Sequence, residues 1–236
     1  MFTRRNFLAA GLAAGASGLA GASRAQTQAA STIVARPAPT NVPLPAFYGA
    51  ITDEPYAIPA VPEGVLAQHL WRQQVPNPWP QYEEGTIVVD PDAALLHFVE
   101  GPDTATRYGV SVGAAGFDWE GTARLQYMRD WPRWKVPDSM IERQPELAPY
   151  SWRKGGMDPG PDNPMGARAL YLFQNGEDTL YRVHGSAKPW ELGKPVSSGC
   201  IRMLNQDVIH LAGRAVHGAT VVVLPSHPWQ GVGQLY

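Results

Sequence analysis

Cys200 is the only cysteine in this 236-residue chain, so no intramolecular disulfide can hold the fold together. Charge is also scarce. Nineteen Lys and Arg face 21 Asp and Glu, 17% of the residues, for a formal net charge of −2. With a pI near 6.3 the chain lacks the electrostatic footprint of a nucleic-acid binder, and 44% hydrophobic residues with so little net charge exclude a disordered polyelectrolyte. Long apolar runs are missing: the stretch from Phe7 to Ala22 falls short of the ~20 residues a membrane span needs and is interrupted by glycine. Six histidines are present without His-x-His or His-Glu-x-x-His spacing, so His69, His97, His210, His217 and His227 read as surface or core residues, and neither metal nor cofactor is expected. Long helical periodicity is rare and tandem repeats are absent. Gly 24 and Pro 23 approach a fifth of the chain, which favours short strands and turns over a helical bundle.

What is present begins with Thr3-Arg4-Arg5-Asn6-Phe7-Leu8, followed by an Ala/Gly/Leu stretch that ends at Ser23-Arg24-Ala25. This is the layout of an export signal, and the paired arginines resemble the twin-arginine signal, with an ordinary secretory signal as the alternative. Residues 1–25 are therefore expected to be removed, leaving a protein in the periplasm with no stable membrane span. Taking Arg4, Arg5 and Arg24 from the 19 basic residues leaves 16 against 21 acidic, a formal charge of −5.

Residues 26–80 hold ten prolines from Pro37 to Pro80 and little periodicity. They read as a linker and extended arm that cannot supply a core, with one short helix from Glu63 to Gln74. From residue 81 to 226 the pattern becomes that of one domain, and 227–236 is left as a C-terminal tail. Strands are expected at Thr86–Asp90, Ala94–Val99, Ala105–Val112, Thr122–Met128, Ala169–Gln174, Thr179–His184 and Thr220–Leu224, with Asn175-Gly176 as a hairpin turn. One helix starts with Asn205 as N-cap and closes near Gly218, and a shorter one spans Ser139–Arg143, capped by Asp138. The expected fold class is mainly β, a sandwich or barrel with one or two short helices.

The segment richest in chemistry is His184-Gly-Ser-Ala-Lys-Pro-Trp-Glu-Leu-Gly-Lys-Pro-Val-Ser-Ser-Gly-Cys-Ile-Arg-Met203. A histidine ends a strand, and a Gly/Pro/Ser loop leads back to a cysteine before a helix. Thiolate is the nucleophilic form of cysteine, and a neighbouring imidazole can take its proton and return it to a leaving amine. Gly199 lets backbone approach a substrate, and amide N–H groups at such a turn can hold an oxyanion. Spacing alone leaves a buried structural thiol as the other reading of Cys200.

These residues also carry a likeness. His184-Gly185-Ser186 followed by Ser197-Ser198-Gly199-Cys200-Ile201-Arg202-Met203 resembles the signature of the L,D-transpeptidase catalytic domain, and Gly85–Asp90, Tyr108–Gly113 and Asn163–Leu170 extend the resemblance over about residues 81–225. The resemblance implies an L,D-transpeptidase-like fold and an acyltransferase of peptidoglycan stem peptides. Cys200 would attack the carbonyl between the third and fourth residues and release the terminal D-amino acid. His184 would be base and then acid, with the Gly185 carbonyl orienting its ring in place of a triad carboxylate. Backbone N–H groups of Gly199 and Cys200 would form the oxyanion hole. Arg202 would hold a substrate carboxylate or fix the Cys loop, and Trp190 would line the groove or cover the core. Ser198 departs from the pattern, standing where the family most often has histidine.

Four other readings compete. Ser151-Trp-Arg-Lys154 matches the Ser-x-x-Lys string of a D,D-peptidase, but no Ser-x-Asn or Lys-Thr-Gly companion is present. A papain-like peptidase usually places Cys before His. A catalytically silent wall-binding module, or a cysteine L,D-carboxypeptidase, would share the substrate class. The acceptor is left open by the sequence: a second stem peptide, the lysine of an outer-membrane lipoprotein, a D-amino acid or water.

Overall fold

The computed structural model describes residues 42–113, 119–194 and 200–226. Ten strands among them form one sheet: β1 (Gln73–Pro76), β2 (Ile87–Asp90), β3 (Leu95–Val99), β4 (Thr104–Gly109), β5 (Ser111–Val112), β6 (Gly121–Asp130), β7 (Arg168–Gln174), β8 (Glu177–Ser186), β9 (Ile201–Leu204) and β10 (Thr220–Val223). Their order is β1-β4-β3-β2-β10-β6-β7-β8-β9-β5. Neighbours are antiparallel except β10 on β2 and β8 on β9, which run parallel. The protein is thus mainly β.

The sheet must be rolled. β4 lies next to one end of the strand order and β5 is the other end, yet only Val110 separates them. A single residue advances the chain by at most ~3.6 Å, so the two ends of the sheet are brought together at Val110. The concave side is filled by alternate residues of nearly every strand, including Ile87, Val89, Leu125, Leu170, Leu172, Val183, Ile201, Met203 and Val221. Packed among them are Val208 and Leu211 of α2 (Asn205–Ala212). The shorter α1 (Asp138–Arg143) buries no residue.

Local chemistry explains most of the strand pattern. β7 and β8 are joined by Asn175-Gly176, with φ of 52° and 83°, and Gln174 pairs Glu177 across it, the left-handed two-residue turn that Asn-Gly favours. The expected strand Ala105–Val112 is instead two strands. Val110 donates its N–H to Ala94 O, and the chain there passes from one end of the sheet to the other. No strand was expected at β9. It is too short to show alternation, and only the open edge of β8 makes it a strand.

The arm departs most from expectation. Tyr48, Ile58, Val61, Leu66 and Leu70 are all buried, so residues 42–76 do supply core. The expected helix Glu63–Gln74 is a 3-10 turn at Gln68–Leu70 followed by β1, which pairs with the edge of β4. Ladder bonds to β4 replace the intrahelical ones. Leu70 packs with Tyr48, Val61, Leu66, Leu192 and Leu204. A Cβ on Gly109 would collide with the Leu70 backbone, so this crossing requires glycine. Tyr48 Oη donates to Asp207 Oδ2 at 3.1 Å and accepts the Arg72 N–H at 2.7 Å. Arg72 stacks 4.0 Å over Phe47 and stands 3.7 Å from Asp207 Oδ1.

Helix starts also differ in detail. Leu204, not Asn205, is the N-cap of α2, because the Asn205 side chain is used elsewhere: its Oδ1 accepts the N–H of Ala167 at 2.9 Å. The helix ends at Ala212, short of Gly218. Pro137 caps α1, and the Asp138 carboxylate pairs with Arg153 at 3.1 Å instead of bonding backbone.

Leu70→Ala is expected to lower unfolding free energy by about 2–5 kcal/mol, the cost of a large-to-small change in a packed core. Leu180→Ala, at a side chain 62% exposed, should change it by no more than about 0.5 kcal/mol. Urea midpoints of the two variants check this, and equal midpoints would mean that the arm is not packed as described.

Candidate active site

His184 lies near the end of β8 and Cys200 immediately precedes β9, and these two strands are parallel neighbours. A parallel pair needs a crossover of a dozen residues or more, and the loop after Ser186 supplies it. The register pairs Val183 with Ile201 and His184 with Arg202. One step earlier, Cys200 stands across from Arg182. The two-residue period puts Arg182, His184, Cys200 and Arg202 on the convex face, while Val183, Ile201 and Met203 point into the core.

His184 is only 4% exposed. Its Nδ1 is 2.8 Å from the carbonyl oxygen of Gly185. With the proton on Nδ1 donated to that carbonyl, Nε2 is left as the basic nitrogen. Burial lowers the ring's pKa to about 4; hydrogen bonds at the Gly185 and Met165 backbone oppose the shift, and the positive charges of Arg202 and Arg182 reinforce it. Cys200 is half-buried. Burial pushes its thiol up, opposed by a hydrogen bond from the Arg182 backbone and by the charges of Arg182 and Arg202. Both shifts favour the uncharged forms, so the resting pair near neutral pH is thiol and imidazole.

The crossover loop is fastened at several points. Ser186 Oγ accepts the Lys188 N–H. Arg202 Nη1 donates to Glu191 Oε2 at 2.9 Å, and Lys188 Nζ lies 3.2 Å from the other Glu191 oxygen. Gly193 N–H donates to Val110 O, and Ser111 Oγ donates to Lys194 O. Leu192 is held in the cluster around Leu70. The guanidinium of Arg202 is therefore engaged in fixing the loop. Trp190, 55% exposed, does not cover the core. Ser198 and Gly199 lie outside the described residues.

Gly185 is confined for another reason. A Cβ there, or on Gly166, would run into the Asn205 side chain, so strand, loop and helix meet directly behind His184. Arg182, Asp178 and Glu191 were not singled out by the sequence reading. Alternation alone would have placed Arg182 on the face of His184, but the value of that position depends on β9 being its neighbour. The other sequence candidates are scattered. Ser151 is buried while Lys154 is exposed. His97 is buried in β3, and His210 Nδ1 is 2.8 Å from Tyr108 Oη. Among the described residues no group of three or more His, Cys, Asp or Glu is placed to hold a metal ion.

Comparison with known proteins identifies the family. The profile of the YkuD family, the L,D-transpeptidase catalytic domain, matches residues 84–223. A Salmonella typhimurium protein named probable L,D-transpeptidase ErfK/SrfK is 31% identical over 146 residues, 60% of this chain and 44% of that protein. Escherichia coli YbiS, also named a probable L,D-transpeptidase, is 28% identical over 149 residues, 58% of this chain and 44% of that protein. The chain thus spans less than half the length of these curated relatives. Among solved structures, a Brucella melitensis protein is 46% identical, with TM-score 0.44 over 65% of this chain and 92% of its own. Its description, a probable carnitine operon oxidoreductase, speaks for that protein alone. An L,D-transpeptidase from Mycobacterium smegmatis is 19% identical, with TM-score 0.42 over 59% of this chain and 58% of that one. With its catalytic-domain profile matched over more than half of its length, the chain belongs to the L,D-transpeptidase family.

Proposed function

We propose that this protein is an exported cysteine L,D-transpeptidase acting on peptidoglycan stem peptides. The observation that carries the reading is the placement of His184 and Cys200 on one face of two parallel neighbouring strands, with His184 Nδ1 tied to Gly185 O.

In this reading Nε2 of His184 takes the thiol proton as the Cys200 sulfur attacks the carbonyl between the third and fourth stem residues. The tetrahedral oxyanion faces backbone N–H groups at Gly199 and Cys200. Collapse breaks the C–N bond, and the proton on Nε2 passes to the departing D-amino acid, leaving a thioester on Cys200. An acceptor amine then attacks the thioester, Nε2 takes its proton, and the thiol is restored. The acceptor is a second stem peptide or a lipoprotein lysine, while transfer to water would make the same site a carboxypeptidase. Arg202, tied to Glu191, holds the loop, and exposed Trp190 borders the groove. Residues 1–25 serve as the signal. Among the described residues no helix is long and apolar enough to cross a membrane.

Cys200→Ala should abolish release of the terminal D-amino acid from a tetrapeptide muropeptide while leaving the circular dichroism spectrum unchanged. Intact-mass spectrometry of the parent should show a single acyl adduct after exposure to a carbapenem. Turnover by the alanine variant would refute the nucleophile.

Because the His184 ring is already neutral above pH about 4, acylation should be nearly level through pH 6.5 and decline only as the pH approaches 4. Protonation there removes the acceptor of the thiol proton. Single-turnover acylation rates across pH 3.5–8 test this, and a limb at the ordinary histidine value near 6.5 would contradict it. His184→Ala should cost at least about a hundredfold at pH 7, whereas Ser198→Ala should cost no more than about tenfold.

Replacing Arg4 and Arg5 together by Lys should leave the precursor in the cytoplasm, read by fractionation and immunoblotting. Unchanged export would favour the general secretory route.

A further inference from the structure

β6 and β7 are antiparallel neighbours, a pair that a turn of a few residues can join. Residues 131–167 stand between them instead, and a connection so much longer than the fold needs is usually functional. Against it lies a cavity of about 450 Å³, inside the ~300–1,000 Å³ range of small-ligand sites. Tyr56 of the arm and Tyr150 of the connection line it, with Pro159, Pro161, Asp162 and Asn163. Both tyrosines are exposed.

The walls are fixed by the protein itself. Tyr56 packs on Trp131 with ring centroids 4.9 Å apart, and Tyr150 lies 6.2 Å from Trp134. Asn163 is buried; its Nδ2 donates to the carbonyls of Pro132 at 3.1 Å and Asp158 at 2.9 Å, and its Oδ1 accepts the Met165 N–H. Gly156, with a φ of 79°, has no room for a Cβ against the Trp134 carbonyl.

What the cavity presents selects its ligand. No lysine or arginine lines it, so nothing there matches an anion. The N–H groups of Met157 and Asn163 already bond Trp134 O and Gly160 O, which leaves an extended peptide no strand edge to join. Asp158 is paired with Arg133. Open to a ligand are two aromatic faces, two proline rings, two phenol hydroxyls and the Asp162 carboxylate; neither those hydroxyls nor that carboxylate has a hydrogen-bond or ion-pair partner among the described residues. A pyranose ring is complementary to this set, because its C–H faces pack on aromatic rings while its hydroxyls donate to a carboxylate at the edge.

Position points the same way. Gly166 N–H donates to Asn163 O at 3.1 Å, a turn that holds the two Cα atoms within about 7 Å. Gly166 in turn lies against the backbone of Gly185, the residue after His184. An extended run of three stem residues covers about 10 Å, a span of the same order as the path from this cavity to the imidazole.

We propose that the cavity between Tyr56 and Tyr150 is a saccharide subsite, which holds the glycan strand of peptidoglycan while the attached stem peptide reaches Cys200. The inference rests on the peptidoglycan reading, but its test needs no turnover. The probe is the tetramer of N-acetylglucosamine, which carries no peptide, titrated into the full chain by calorimetry. The parent should bind it saturably, and Tyr150→Ala and Asp162→Ala should each weaken binding by about tenfold, the loss of one stacked ring or one charge-assisted bond. Leu180→Ala should leave the affinity as it is.

Thermal melting of each variant is the folding control, and if Tyr150→Ala fails to fold, Asp162→Ala decides. Absence of binding by the parent, or equal affinity in folded Asp162→Ala, overturns the proposal. A glycan-free tetrapeptide that displaces the tetramer, and loses affinity in the same variants, would assign the cavity to peptide and overturn it as well. Binding as stated with no muropeptide turnover would count against the proposed function alone, whereas turnover without tetramer binding would count against this subsite alone.

Discussion

The site depends on one buried amide. Asn205, at the start of α2, gives its side-chain oxygen to the N–H of Ala167, and in doing so fills the space that Cβ atoms on Gly166 and Gly185 would need. Three pieces of chain distant in sequence meet there: the loop entering β7, the end of β8 and the head of the helix. The carbonyl of Gly185 is thereby fixed, and that carbonyl orients the imidazole of His184. In the proposed mechanism that backbone oxygen stands where a triad has a carboxylate, at no cost in buried charge.

A second constraint operates on the other side of α2. Asp207 is fully buried, and burial raises its carboxyl to about 7, with the Arg72 charge and the Tyr48 hydroxyl pulling it back. Both restraining groups come from the arm. The same stretch carries Leu70, which packs against Leu192 in the crossover loop, so residues lying before the matched domain help to hold the loop that leads to Cys200. In this molecule the arm is a packed part of the domain, not a tether.

Much of this was legible in the residues. The Asn-Gly turn, the two strands flanking Pro91-Asp92 and the helix after Met203 are local events, decided by turn chemistry and periodicity within a few positions. That the chain would fold back and bring Cys200 to the strand beside His184 was legible because the loop between them is full of Gly, Pro and Ser. What could not be read is whatever depends on a partner far along the chain. Tyr48, Val61 and Leu70 are buried one at a time against different elements, so they leave no periodic trace. β9 exists because β8 has an open edge, and nothing local in residues 201–204 announces it. The Asn205 side chain looked like a helix cap because sequence cannot show that Ala167 has a prior claim on it.

The place of β10 bears on how the chain reaches this state. It lies between β2 and β6, so residues 220–223 join the two halves of the sheet, and Val221 pairs with Ile87 from the start of the domain. Until the chain has been made as far as Val223, the β2-β3-β4 unit and the β6-β7-β8 unit have no backbone ladder between them. Completing the sheet therefore takes a non-local closure, the kind of contact that is slow to form, and it leaves both hairpin units with open edges until it is made. The strand that closes this sheet is the last one made, so both half-sheets keep an exposed edge until β10 is in place.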